Sequence, residues 1–179
     1  MGDLDSLTSE ARTYFESRGT PIVHSPDQES TDFGKAISYI RDTSTAAIDV
    51  AAVGGLGGRV DQGISQLHHL YVYQSEGYAQ GRMYLVSEES LTLVLKAGKH
   101  IIHVREEEPV FGKDVGILPI REPSVISTKG LEWDVEGWET AVGGRLSTSN
   151  HVLPESKVVE VETSKDVLFT ISLKVEAVK

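Results

Sequence analysis

Five acidic residues stand in two short clusters where their spacing would allow them to hold a cation. Asp3-x-Asp5 places two carboxylates close together in a loop-like context, and Asp27, Glu29 and Asp32 follow within Pro26-Asp27-Gln28-Glu29-Ser30-Thr31-Asp32. Hard cations such as Mg²⁺ take oxygen ligands and bind through one or two carboxylates together with substrate phosphates. In a parallel sheet, loops at the carboxyl ends of neighbouring strands converge on one crevice, which would bring Asp3, Asp5 and Asp32 together. The plainer reading is solvated surface acids and helix caps. The residues alone leave both open.

The second candidate is Gly54-Gly55-Leu56-Gly57-Gly58-Arg59-Val60-Asp61-Gln62. Glycines after a strand let backbone amides approach a phosphate, and the helix that follows offers its N-terminus. Arg59 can donate two parallel hydrogen bonds to phosphate oxygens. The dinucleotide fingerprint fails because Val60 occupies its third glycine position, and no Gly-Lys pair is followed by Ser or Thr, so the common P-loop is absent. A simple tight turn remains the alternative.

Other polar residues carry less. His100 and His103 are three apart in a strand pattern and face opposite sides, while His68 and His69 diverge on a helix; all six histidines read as structural or surface groups. Leu146-Ser147-Thr148-Ser149-Asn150 is a run of small hydrogen-bonding residues whose plain reading is a β-turn. Trp133 and Trp138 read as core aromatics of a sandwich, with ligand platforms as the alternative.

The elements that would position these groups fall into two patterns. Leu7, Ala11, Tyr14 and Phe15 share a helical face ended by Gly19, and Thr20 to His24 reads as a short strand. Ser30 or Thr31 caps a second helix with Phe33, Ala36, Ile37 and Ile40 on its buried face. Ala46 to Val53 reads as a buried parallel strand, and a third helix carries Val60, Ile64, Leu67 and Tyr71. Alternation of this kind predicts an α/β layer with a parallel sheet. After about Gly81 the helices stop. Strands are expected at 83–86, 91–95, 100–104, 115–118, 125–128, 131–135, 158–162 and 167–173, a spacing that predicts an antiparallel β-sandwich. The fold class is therefore an incomplete, Rossmann-like parallel α/β domain over residues 1–86, followed by an antiparallel β-sandwich over residues 87–179.

Of the 179 residues, 39% are hydrophobic and 25% charged, ordinary for a globular chain with a real core. The net charge of −10 disfavours a nucleic-acid partner, and an anionic small molecule would need a divalent cation beside it. With no cysteine, thiolate metal sites and disulfides are excluded. No apolar run is long enough for a membrane helix and no signal-peptide pattern is visible, so the expected setting is cytoplasmic, with no membrane partner.

Taken in order, Gly2-Asp3-Leu4-Asp5-Ser6, Pro26 to Phe33 and Gly54 to Gln62 resemble the motif series of thiamine pyrophosphokinases, in details closer to the eukaryotic members. The likeness continues through Gly98-Lys99-His100, Gly116-Ile117-Leu118-Pro119, Thr128-Lys129-Gly130-Leu131-Glu132-Trp133, Leu146 to Asn150 and Val161-Glu162-Thr163, and so spans essentially the whole chain.

The resemblance implies an α/β nucleotide domain and a β-sandwich working as a homodimer, with sites at the subunit interface. The implied reaction is attack by the thiamine hydroxyl on the β-phosphorus of Mg·ATP, giving thiamine diphosphate and AMP. By motif, Asp3, Asp5 and Asp32 are the Mg²⁺-diphosphate carboxylates, with Asp32 nearest the attacking hydroxyl. Gln28 is placed near the thiamine, Gly55, Gly57, Gly58 and Arg59 near the ATP phosphates, and Asp61 and Gln62 along the substrate crevice. Ser147, Ser149 and Asn150 would hold thiamine from the sandwich side, and the acidic surface suits its positive charge. Family members carry an earlier Ala-Asp-Gly-Gly-Ala-type segment that nothing here matches. The competing expectation is therefore a truncated, non-catalytic thiamine-binding dimer unable to bind ATP.

Overall fold

The computed structural model describes residues 1–107 and 110–174. It divides into two compact units, Met1–Ile48 with Ala79–Gly81, and Asp49–Tyr78 with the residues from Arg82 onward.

In the first unit, α1 spans Ser9–Glu16 and α2 spans Asp32–Thr43. Each begins on a threonine whose hydroxyl satisfies a free amide of the first turn: Thr8 accepts from Ala11 N–H at 3.2 Å, and Thr31 from Gly34 N–H at 3.0 Å. Gly19, at φ 74°, stops the chain after α1 as expected. The expected buried face of α1 is not found: no residue of that helix is buried, and Tyr14 and Phe15 pack edge-to-face on one another at its surface. The expected strand at Thr20 to His24 reduces to one parallel rung, Gly2 against His24. It is held by Gly2 N–H to Val23 C=O at 3.2 Å and Ser25 N–H to Gly2 C=O at 2.8 Å. On α2, Ile37 is buried as expected but Ile40 is exposed, and Lys35 takes a place in the buried face.

In the second unit, β1 (Val50–Val53) leads through the glycine turn into α3 (Val60–Tyr73). β1 is shorter than the expected strand and lies at a sheet edge, with Val53 82% exposed. The C-terminal half of α3 buries His69, Leu70 and Tyr71, while Val60 and Ile64 of the expected buried face are exposed. The following strands are β2 (Met83–Val86), β3 (Ser90–Leu95), β4 (Gly98–His103), β5 (Phe111–Leu118) and β6 (Ser124–Lys129). Then come β7 (Trp138–Thr140), β8 (Ser147–His151), β9 (Val158–Thr163) and β10 (Val167–Leu173).

Six strands form one sheet in the order β1-β2-β3-β10-β5-β8 and four form another in the order β4-β9-β6-β7. β2 pairs parallel with β1 and antiparallel with β3, so the parallel α/β pair and the antiparallel sandwich share one continuous sheet. Between the sheets lies a core of Leu95, Val115, Ile117, Val167, Phe169 and Ile171 from the first and Ile126, Val159 and Val161 from the second. Trp138 packs against this core, as expected.

The segment Leu131 to Val135, expected as a strand, is a turn with a single bridge from Leu131 to Val152. Two causes are visible. Gly130 sits at φ 99°, and the Asp134 carboxylate gathers Gly130 N–H at 2.9 Å, Leu131 N–H at 3.1 Å and the Thr128 hydroxyl at 3.0 Å. Ser147 to His151, plainly read as a turn, is instead the edge strand β8.

Candidate functional site

The first unit builds a small carboxylate cradle at the rung between Gly2 and His24. Asp32, the first residue of α2, lies over Gly2: a Cβ added at Gly2 would stand 2.6 Å from the Asp32 carboxylate atoms. The Asp32 Oδ1 accepts the Asp3 N–H at 3.3 Å. Leu4 adopts φ 65°, and the next amide, Asp5 N–H, turns back to the Asp3 carboxylate at 3.1 Å. The Gln28 amide stands 3.5 Å from the other Asp3 oxygen. Asp3 thus meets Asp32 through its backbone N–H and Gln28 through its carboxylate, while Asp5 joins through its own backbone N–H. Asp27 is spent locally, accepting from Glu29 N–H at 2.9 Å and from the Ser30 hydroxyl; the Ser30 bond holds its carboxyl below the ordinary range.

Lys35 is the residue of this cradle that its sequence context hides. Its side chain is only 4% exposed, yet its ammonium donates to Ser25 C=O at 3.2 Å and stands 3.4 Å from Asp32 Oδ1. A lysine among Phe33, Ala36 and Ile37 reads as a solvent-facing interruption; what allows its burial is the pair of acceptors from loop and helix start.

Among the described residues, no three histidine or acidic side chains converge closely enough to enclose a metal ion. Mg²⁺ does not need such a cage, because it keeps several waters and shares substrate phosphates. Asp32, exposed at the start of α2, and Asp3, joined to it through the Asp3 N–H, fit that mode, so they are the residues that suit the ion here.

In the second unit, Gly54, Gly57 and Gly58 take φ values of 80°, 139° and 65°, which side-chain-bearing residues rarely adopt. No atom outside their chain neighbours lies within 4 Å of a Cβ built at any of the three, so the turn is open to an approaching group. Gly55 is different: its Cβ position meets Leu85 at 3.5 Å and Gln66 at 3.6 Å. Arg59 precedes α3 without capping it, and its guanidinium fork is closed on Asp61, with Nε to Oδ1 at 3.1 Å and Nη2 to Oδ2 at 2.6 Å. That bond holds the Asp61 carboxyl below the ordinary range. Gln62 stands 3.5 Å from the same carboxylate.

On β8, Ser149 has φ 58° and is exposed, whereas Asn150 is 5% exposed and turned inward. The Asn150 side-chain amide grips the peptide groups of Trp133, accepting Trp133 N–H at 3.1 Å and donating to Trp133 C=O at 2.9 Å. Trp133 itself is 55% exposed, contrary to the core expectation, because the turn at 130–134 carries it out of strand register. Its ring lies 5.2 Å from that of His151, which meets Glu132 at 2.6 Å and Asp114 at 3.4 Å. The surface is an aromatic face beside two carboxylates.

Comparison with known proteins decides the relationship. "Thiamin pyrophosphokinase, catalytic domain" matches residues 1–79, and "Thiamin pyrophosphokinase, vitamin B1 binding domain" matches residues 99–168. The chain belongs to the thiamine pyrophosphokinase family. It is similar to thiamine pyrophosphokinase 3 of Oryza sativa subsp. japonica, 34% identical over 97% of this chain and 65% of the relative. Thiamine pyrophosphokinase 1 of Arabidopsis thaliana is 36% identical, over 97% of this chain and 64% of the relative. The chain therefore spans just under two thirds of the length of these curated relatives. The solved thiamin pyrophosphokinase from Candida albicans superposes with a TM-score of 0.84 at 23% identity, over 97% of this chain and 72% of that one. The yeast enzyme gives 0.82 at 24% identity, over 96% and 68%. These likenesses establish the family's fold, an α/β domain followed by a β-sandwich.

Proposed function

We propose that this chain transfers diphosphate from Mg·ATP to the hydroxyl of thiamine. The hydroxyl oxygen forms a bond to the β-phosphorus, the bond from that phosphorus to the α,β-bridging oxygen breaks, AMP departs, and the hydroxyl proton passes to solvent or a neighbouring carboxylate. The observation that carries the reading is the cradle of Asp3 and Asp32 over Gly2, within the region matched by the family's catalytic domain.

Asp3, Asp5 and Asp32 are assigned as the residues that would hold Mg²⁺, Asp3 and Asp32 from the cradle and Asp5 from the loop beside it. When bound, the ion offsets charge on the phosphoryl oxygens, and phosphoryl-type transfers depend mainly on such positioning and electrostatics. Gly55, Gly57, Gly58 and Arg59 are assigned to the ATP phosphates. Arg59 exchanges its exposed partner Asp61 for phosphate oxygens, leaving Asp61 and Gln62 to the substrate. Gln28, Ser147 and Ser149 are assigned to thiamine. The Trp133 face offers a stacking and cation–π surface to its positively charged ring, and Glu132 and Asp114 add the matching charge. We assign residues 1–86 to catalysis and 87–179 to thiamine binding, in a cytoplasmic homodimer.

The test is product analysis with the chain, thiamine and Mg·ATP. AMP and thiamine diphosphate should form in equal amounts, and Asp32→Asn should abolish both while the melting temperature holds. ADP with thiamine monophosphate, or thiamine binding without turnover, would refute the proposal.

A further inference from the structure

Asn150 matches the family's thiamine-side motif, but its side chain does not face an open surface. It is buried, and its amide is committed to backbone: Oδ1 accepts Trp133 N–H at 3.1 Å and His151 N–H at 2.9 Å, while Nδ2 donates to Trp133 C=O at 2.9 Å. A buried amide is costly unless satisfied, and here both polar ends are used. The pair of bonds to one residue replaces the strand rung that the turn at 130–134 removes.

The inward turn of Asn150 has a local cause. β8 pairs with β5 through Val115 against Asn150 and then Ile117 against Ser147, three steps on β8 for two on β5. This is a bulge, and Ser149 takes up the extra residue at φ 58°. The bulge separates the exposed hydroxyl of Ser149 from the buried amide of Asn150. Trp133, for its part, is more than half exposed, and its aromatic neighbour is His151.

We propose that Asn150 is a positioning residue that acts on thiamine through Trp133, fixing the backbone from which the indole face is presented. This rests on the reading of Trp133 as the thiamine platform. Asn150 makes no contact with thiamine.

The experiment is a double-mutant cycle in the full chain, measured as thiamine affinity and as KM against kcat. Trp138→Phe provides a background in which Trp133 is the single tryptophan, so its emission and anisotropy report directly on the platform. Asn150→Ala should weaken thiamine binding roughly tenfold, the factor to which about 1.4 kcal/mol of lost hydrogen bonding corresponds. KM should rise with kcat little changed, and Trp133 anisotropy should fall. Asn150→Asp, close in shape but lacking the donor to Trp133 C=O, should give the same signs if the alanine variant does not fold. Combined with Trp133→Ala, either variant should add no further loss. Additive losses, or an unchanged Trp133 signal in a folded Asn150 variant, would overturn the positioning role while leaving the platform intact. If Trp133→Ala alone binds thiamine as well as the parent, the platform reading falls, and the inference with it.

Discussion

Replacing Lys35 by methionine separates the electrostatics of the carboxylate cradle from its packing. Methionine fills much the same volume as the lysine stem, so the buried slot on α2 stays occupied. What disappears is the ammonium 3.4 Å from Asp32 Oδ1 and 3.2 Å from Ser25 C=O. At that separation two unit charges interact by about 5 kcal/mol with an effective dielectric constant near 20. Asp32 is 57% exposed, however, so solvent screens most of this, and the buried ammonium pays for desolvation. The two effects oppose each other, and the net change in folding stability should stay within about 1 kcal/mol. The carboxylate loses its charged partner in either case and keeps the Asp3 N–H. A hydrogen bond to a charged group contributes about 1.5–3 kcal/mol where geometry depends on it, equivalent to a roughly 10- to 150-fold loss in kcat for diphosphate transfer. Steady-state kinetics, a thermal melt and a Mn²⁺ titration of the same preparation would read all three quantities. Near-parental kcat and metal affinity in Lys35→Met would exclude an electrostatic role for the ammonium, as would a large loss of stability with unchanged activity in the folded fraction.

Arg59→Ala removes an ion pair that is exposed on both sides, so the thermal melt should be almost unchanged. The kcat/KM for Mg·ATP should fall by roughly 10²–10³-fold if the fork serves phosphate. Ser149→Gly relieves the left-handed conformation of a side-chain-bearing residue and should stabilise the fold by up to about 1 kcal/mol in a denaturant titration, while weakening thiamine binding through the lost hydroxyl. Burial, aided by the Asp166 carboxylate, pushes the Tyr71 hydroxyl up to about 12 from an ordinary 10. Between those values the unfolded chain has lost a proton that the folded chain keeps, so stability is intact below pH 10 and declines as pH rises towards 12. Tyr71→Phe should flatten that decline in melts across the range.

The start of α2 and most of the strands were legible because their signals are local. A threonine before α2 can meet an amide three residues on, and period-two runs such as Val158 to Thr163 need only a partner on either side, whereas the Thr8 cap of α1 was not among the expectations. The failures share one cause, the dependence of burial and pairing on what lies alongside. Thr20 to His24 has strand residues, but the rung it forms is with Gly2. Leu131, Trp133 and Val135 alternate as a strand should, yet three donors gathered by Asp134 outweigh that pattern and leave Trp133 at the surface. Val60 and Ile64 repeat at helical spacing on a half of α3 whose outer face no described residue buries.

The site residues were legible by type and order, but their division of labour was not. Aspartates 3 and 32 belong to one cradle because Gly2 has no side chain to keep them apart, a condition set by an absent atom. Serine 149 and asparagine 150 are adjacent and similarly polar, yet a one-residue bulge sends one outward and the other inward. Among the described residues, Leu4 and Ser149 are the side-chain-bearing positions with φ in the left-handed region, and each lies inside a segment singled out for its chemistry. Strain of this kind persists only where surrounding contacts hold it. At Leu4 the holding contact is Asp5 N–H on the Asp3 carboxylate, and at Ser149 it is the pairing of β8 with β5. In both segments, therefore, the conformation that sorts the functional side chains is held by hydrogen bonds from backbone amides, accepted by the Asp3 carboxylate in the first and by the β5–β8 ladder in the second. This is why substitutions at Lys35 and Asn150, neither of which is assigned a contact with the reacting atoms, should change turnover and affinity more than they change the fold.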